Sequence, residues 1–344
     1  MNCCSECFSD TQIRRMITAA AQIGNCDFCG KENVPICNID ESSDVVDLIA
    51  EVLNIYEDDE TGELLTSTVI NDWSIFRKEL SSSSKLVDAF CARIYEGEQN
   101  PNMRKVSIPS NYVSEYGVFS GHSWSEFSAA LKDKKRFHNS YFRADQFAAF
   151  LGYSITRYSK GSELFRARIS DKPEGFLQSQ MGQPPAGKRR AGRVNPEGIG
   201  VLYLTSDEET ALREVRASAF DYVTIGIFKL KKDINVVNIS ALNSISPAVY
   251  SSGIESLAAN IKVFSDMAKE IAKPLRRNDS PLEYLPTQYI TEFIKSKNYS
   301  GVSYTSTMGT GGTNIAVFDE SLFECVAVHN VEINDICYNY CRVN

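Results

Sequence analysis

Three residues in the stretch "GRVNPEGIGVLYLTSDEETALREVRA", from Gly192 to Ala217, have types and spacing that could do chemistry together: Arg193, Tyr203 and Glu214. A guanidinium offers a planar fork of donors that fits phosphate or carboxylate oxygens. An aromatic ring can accommodate a cationic ring on its face. A carboxylate at a dry edge near positive charge is a candidate catalytic group. Lys188, Arg189, Arg190 and Arg193 put four cations into six residues of a Gly-flanked loop, in a chain whose formal net charge is −8. That concentration fits an anionic ligand such as a phosphate. The plainer alternative makes Tyr203 a core residue, pairs Glu214 with Arg213 or another neighbour, and leaves the basic run solvated.

The elements that must position these residues can be read around them. "GIGVLYLTS" is a strand pattern, with Val201, Tyr203 and Thr205 on one side and Leu202 and Leu204 on the other. Ser206 begins S-x-x-E with Glu209, which predicts a capping box. In the helix that follows, Ala211, Leu212, Val215 and Ala219 form the expected apolar stripe, and Glu214 lies at its edge. Further strands are expected in "ELFRARIS", "VTIGIFKLK", "INVVNIS", "VSYTS" and "NIAVFD", and helices in "SGIESLAANIKVFSDMAKEIAKPL" and "PTQYITEFIKSKNYSG". Strands mixed with helices predict an α+β domain. Upstream, "SSDVVDLIAEVLNIY" and "RADQFAAFLGYSI" carry helical periodicity, and "ELSSSSKLV" ends a connection with an N-cap serine.

Cys4-x2-Cys7 and Cys26-x2-Cys29 are eighteen residues apart, and five of the ten cysteines fall in the first thirty residues. Paired CxxC knuckles at such a separation predict a tetrahedral Cys4 zinc site, closed and therefore structural. Free thiols or a redox dithiol are the alternatives. Cys37, Cys91, Cys325, Cys337 and Cys341 follow no such pattern. His122, His138 and His329 are scattered, so no His-based metal or hydrolase site is expected, although His138, in "KKRFHNSYFR", could serve an RNA site.

The 344 residues suffice for two domains, or for one domain and a smaller module. The acidic balance argues against a general nucleic-acid binder. No apolar run reaches the length of a membrane span, and "MNCCSECFSD" lacks the regions of a signal peptide, so a cytoplasmic protein is expected. "GTGGTN" is not a phosphate-binding P-loop and reads as a mobile loop beside Ser306.

"LFRARIS", "GRVNPEGIGVLYLTSDEETALREVR", "EYLPTQYI" and "GVSYTSTMGTGGTNIAVF" together resemble the successive motifs of the RES-domain family, over about Gly161 to Phe318. The chain departs from the family pattern at Val194, where Trp or Phe is usual. The first 150 residues resemble, less closely, a cysteine-rich, HEPN-like helical extension, but without an Arg-x4-His pair. Domains are accordingly expected at 1–40 (Cys4 zinc module), 41–158 (helical, HEPN-like) and 159–330 (RES), with a tail at 331–344. The resemblance implies an ADP-ribosyltransferase-like mixed β core with helices. It also implies an enzyme that consumes NAD+ at the nicotinamide–ribose bond, as a bacterial toxin or an anti-phage defence effector, with a Xre-type antitoxin or other inhibitor as partner. A homo-oligomer is compatible with this. On the same resemblance Arg193 grips phosphate or ribose, Tyr203 stacks on nicotinamide, and Glu214 serves the reacting ribose. Ser306 lies near ribose or nicotinamide, Arg166 lines the pocket, and Asn314 binds there or orders the Gly-rich loop. The alternatives are ADP-ribosyl transfer to a macromolecule, and a non-catalytic zinc-containing binding protein.

Overall fold

The N-terminal, cysteine-rich segment forms a small sheet. β1 (Asn2–Cys4), β2 (Ile23–Gly24) and β3 (Val34–Asn38) are antiparallel, in the order β1-β3-β2. Between the first two strands runs α1 (Thr11–Ala19), capped by the Asp10 carboxylate, which accepts from the Gln12 and Ile13 N–H groups. This is a computed structural model, and it describes residues 1–137, 139–274, 280–309, 311–337 and 342. His138 and Cys341 therefore lie outside the described residues.

The chain divides into two units. The first comprises Met1–Phe127, His138–Tyr153 and Ala241–Asp266; the second comprises Ser128–Phe137, Ser154–Ser240 and Met267–Asn344. In the first unit, α2 (Asp44–Asn54) buries Val45, Val46, Ile49, Val52 and Leu53 of the stripe its periodicity predicts, leaves Leu48 of that stripe half-buried, and is capped by Ser43. An antiparallel pair, β4 (Glu57–Leu64) with β5 (Lys105–Ser107), interrupts a stretch read from sequence as helical. The helices of this unit are α3 (Leu65–Asp72), α4 (Ser83–Ile94), α5 (Ser110–Tyr116) and α7 (Ala144–Leu151), with α6 (Trp124–Asp133) as far as Phe127. Ser82 stands at the N-cap of α4 but makes no side-chain capping bond. Stacked and edge-on rings, among them Phe119 with Phe127 and Phe150 with Phe264, fill this unit's interior.

The second unit is built on one mixed sheet. Its strands are β6 (Ile155–Tyr158), β7 (Glu163–Ser170), β8 (Leu202–Thr205), β9 (Tyr222–Leu230), β10 (Ile234–Asn238), β11 (Gly301–Thr305), β12 (Thr313–Val317) and β13 (Phe323–Glu332). The order is β13-β9-β7-β8-β12-β11-β10-β6, and only β10 with β11 is parallel. Leu164, Leu202, Leu204, Ile315 and Val317 belong to one core cluster, while Ala167 and Val223 pack with Ala211 in another. The helices of this unit are α8 (Glu208–Glu214) and α10 (Leu285–Ser296), while α9 (Ile254–Ala272) belongs to the first unit as far as Asp266. The fold class is α+β, as expected.

Two local expectations are corrected. The N-cap of α8 is Asp207, not Ser206: the Asp207 carboxylate accepts from the Thr210 N–H at 2.7 Å, and Ser206 Oγ donates to that same side chain. Ser206 is held instead in a bridge to Thr313, whose N–H donates to its Oγ. The helix also ends at Glu214, because Arg216 turns left-handed at φ 53°, so the apolar stripe stops at Val215 and Ala219 is exposed.

Candidate active site and a cysteine cluster

Glu214 is the last residue of α8, and its carboxylate points across to the paired strands β11 and β12. Asn314 Nδ2 donates to Oε1 at 2.6 Å, and Ser306 Oγ donates to the same oxygen at 2.8 Å. Oε2 faces Arg193 Nη2 at 3.9 Å. Arg213, the neighbour that could have neutralised Glu214, pairs instead with Glu209 at 2.7 Å.

Glu214, Asn314 and Arg193 border a cavity of about 280 Å³, which Arg166, Tyr203, Tyr284 and Tyr304 also help to line. β8 brings Tyr203 to it by alternation, with Leu202 and Leu204 directed into the core on the opposite face. The Tyr203 hydroxyl is not free: it donates to Asn195 Oδ1 at 2.7 Å and accepts from the Val194 N–H at 3.2 Å. Val194 is fully buried, which accounts for an apolar residue at that place in the motif. Ser306 is buried behind Glu214, where it also accepts from the Met308 N–H, so its contact is with the carboxylate.

The electrostatics of the cavity are unbalanced in one place. Arg193 lies 5.8 Å from the Tyr304 ring centroid. Burial works against its charge, but Tyr304, Glu214 and Tyr284 outweigh burial and hold the guanidinium above its ordinary range. At Arg166 the balance goes the other way, because Glu320 and Tyr203 support its charge less than burial opposes it. Burial, and then Arg168, pushes it down to about 10. Among the described residues its one hydrogen bond is a long one to the Tyr203 carbonyl, at 3.4 Å, and its Nε has no partner. A buried cation with an unsatisfied donor is suited to an anionic ligand. Burial also drives both tyrosine hydroxyls upward, Tyr304 to about 12 although Arg193 opposes the shift.

The structure thus brings Arg166, Arg193, Tyr203, Glu214, Ser306 and Asn314 together in one unit. It adds Tyr284 and Tyr304, which sequence reasoning missed. Tyr304 alternates with Ser303 on β11, a pattern visible in "VSYTS". Tyr284 precedes α10 and carries no sequence signal beyond its place in "EYLPTQYI". His122 stacks on Tyr141 and His329 faces Glu208 at 3.4 Å, and neither lines the cavity.

In the first unit the four predicted cysteines converge. The ligand atoms of Cys4, Cys7, Cys26 and Cys29 all lie within 4.8 Å of one another. The Cys4–Cys29, Cys7–Cys26 and Cys4–Cys7 sulfur separations are 3.4, 3.5 and 3.8 Å. A tetrahedral tetrathiolate with bonds of about 2.3 Å has edges of about 3.8 Å, so the group could hold a metal ion. Glu6, inside the first knuckle, pairs with Arg14, Arg77 and Lys31.

Comparison with known proteins bears on the second unit. A search of the curated proteins finds no match. Among solved structures, a chain of the M. tuberculosis MbcT-MbcA toxin-antitoxin complex aligns at 12% identity and a TM-score of 0.33, covering 54% of this chain and 91% of that one. The model of the RES domain matches residues 163–338. That span carries the strand of Arg166, the Arg193 loop, Tyr203, Glu214, Ser306 and Asn314, and by this match the chain belongs to the RES domain family.

Proposed function

We propose that this chain is an NAD+-consuming enzyme that breaks the bond between nicotinamide and ribose. The observation that carries the reading is a carboxylate, Glu214, fixed from behind by Ser306 and Asn314 and set in a cavity with two guanidinium groups. The chemistry matches that arrangement. As the C1′–N bond breaks, its electron pair returns to the ring nitrogen and nicotinamide leaves neutral. C1′ becomes oxocarbenium-like, as in glycoside hydrolysis, and a carboxylate stabilises it. Water or phosphate then bonds to C1′ through oxygen; water gives up its proton, and ADP-ribose or its 1-phosphate results. Arg193 and Arg166 supply donors for the pyrophosphate. The tyrosine rings offer faces to the cationic nicotinamide.

The Cys4 set is read as a structural zinc site, because a closed tetrathiolate leaves no position for water or substrate. An activity that drains NAD+ calls for restraint, and an inhibitor protein of the antitoxin class is the partner this reading implies. Incubation with NAD+ tests the proposal. Nicotinamide should appear without an added protein, with ADP-ribose in water alone and the 1-phosphate when phosphate is supplied. Radiolabel appearing only on an added macromolecule would move the assignment to ADP-ribosyl transfer. Intact NAD+ in every arm would refute it. In a bacterial host, NAD+ loss should precede growth arrest, and Glu214→Gln should abolish both.

A further inference from the structure

The residues around Arg193 form neither helix nor strand, so their buried backbone groups need other partners. Four consecutive carbonyls find them. Gln288 Nε2 donates to Gly192 O at 2.7 Å and to Asn195 O at 3.0 Å. Thr287 Oγ1 donates to Arg193 O at 2.7 Å, and Thr291 Oγ1 to Val194 O at 2.9 Å. All three donors stand on α10 and are buried, Thr291 completely. Positions 287, 288 and 291 share one face of a helix. A polar triplet on the buried face of an amphipathic helix is costly unless every group is paired, and here every donor meets a carbonyl of the Arg193 segment.

The same segment is tied from within. Asn195 Nδ2 reaches the carbonyls of Arg190, Pro196 and Ile199, at 3.0, 3.2 and 2.9 Å, while its Oδ1 accepts from Tyr203. Each threonine hydroxyl has one proton and two acceptors. For Thr287 the bond to Arg193 O, at 2.7 Å, is shorter than the one to its own helix at Tyr284 O, 2.9 Å. The guanidinium that faces Glu214 is thus anchored through its own carbonyl.

We propose that Thr287, Gln288 and Thr291 are positioning residues that act through Arg193, fixing where its guanidinium stands relative to Glu214. The activity arm of the test rests on the NAD+-cleaving reading above. A second arm, hydrogen exchange at the amides of residues 192–195, does not depend on it. Thr287→Val keeps shape and removes the donor, whereas Thr287→Ser keeps the donor. A displacement approaching 1 Å costs up to about a hundredfold in turnover efficiency. Thr287→Val should therefore lower kcat/KM for NAD+ by about tenfold or more, with a modest loss of thermal stability from the unpaired Arg193 carbonyl, and the serine variant should stay close to wild type in both. In an Arg193→Ala background the valine substitution should cost nothing further, as expected for residues acting as one unit. Amide exchange at 192–195 should quicken in Thr287→Val and Gln288→Met, while β8 and β9 keep their protection. An equal valine penalty in both backgrounds, or a serine variant as poor as valine, would reduce the threonine to a structural role. If the wild type releases no nicotinamide, the catalytic reading fails and exchange alone decides: protection of 192–195 unchanged in the variants overturns the positioning role.

Discussion

Glu214→Gln is the substitution that most directly interrogates the cavity. It keeps the shape of the side chain and removes one negative charge. The carboxylate makes three contacts: Asn314 Nδ2 at 2.6 Å, Ser306 Oγ at 2.8 Å and Arg193 Nη2 at 3.9 Å. A glutamine that keeps its carbonyl oxygen on Asn314 and Ser306 turns its NH2 towards Arg193, donor against donor. One that flips loses both strong bonds. Either way the cavity loses the charge that would meet a developing cation at C1′. At about 4 Å and an effective dielectric of about 20, two unit charges attract by roughly 4 kcal/mol. Removal of one preorganised electrostatic group costs about 2.7–4 kcal/mol in other enzymes, on the order of a hundredfold to a thousandfold in kcat. That is the expected loss here, measured as nicotinamide released under saturating NAD+. The fold should persist at a moderate cost, because relief of a negative charge at a helix C-terminus, worth about 0.3–1 kcal/mol, offsets only part of the weaker bonds to Ser306 and Asn314 and of the counter-charge that Arg193 loses. A folded glutamine variant within about threefold of wild-type turnover, less than about 1 kcal/mol, would refute the role given to this carboxylate.

Other outcomes follow from the same geometry. Arg166→Met should raise the thermal midpoint, since an unsatisfied buried donor costs about 1–3 kcal/mol, while weakening NAD+ binding in titration calorimetry; a lower midpoint would contradict it. Gly192→Ala should impair both fold and turnover, because a Cβ there would stand 2.6 Å from the Tyr203 hydroxyl and 2.8 Å from Asn195 Oδ1, groups locked to each other. Cys7→Ser or Cys29→Ser should release one zinc per chain by metal analysis and loosen the first unit, because metal-binding energy at such sites is folding energy. Wild-type protein without zinc would remove that premise. Lys188→Ala and Arg189→Ala should cost little, and their effect should fade as salt is raised, whereas the loss in Arg193→Ala should persist.

The strand–helix unit from Gly198 to Glu214 was legible because each step has a local cause. Alternation directs Tyr203 one way and Leu202 and Leu204 the other, and the helix that follows ends in a carboxylate that borders the same cavity. The six strands read from the second unit are present, and the two missed, β6 and β13, lie at opposite edges of the sheet, where half-exposed faces weaken the apolar signal. The cap was misplaced by one residue because Ser206 and Asp207 are both good caps locally, and only the bridge to Thr313 decides between them. Nothing local announces Asn195, Thr287 or Gln288, since their partners lie on other elements. A polar triplet on an otherwise apolar helix face in "PTQYITEF" was the one available hint.

The place of Glu214 argues that the site was not arranged for stability. The last residue of a helix stands among unpaired carbonyls, where a lysine or arginine is favoured and a carboxylate is not. α8 carries its acidic residues Glu208 and Glu209 in the first turn, where they help, and Arg213 in the last turn, where it also helps. Glu214 alone breaks that pattern. Asn314, Ser306 and Arg193 converge on it from β12, the turn after β11, and the clamped loop. Donors drawn from three separate elements to hold one adversely placed charge are costly to assemble, as buried polar networks must be satisfied completely or not at all. The same holds for Arg166, a guanidinium kept in the cavity with its Nε unpartnered. A fold selected for stability alone would have replaced both, and a ligand that is cationic at one end and anionic at the other gives both a partner.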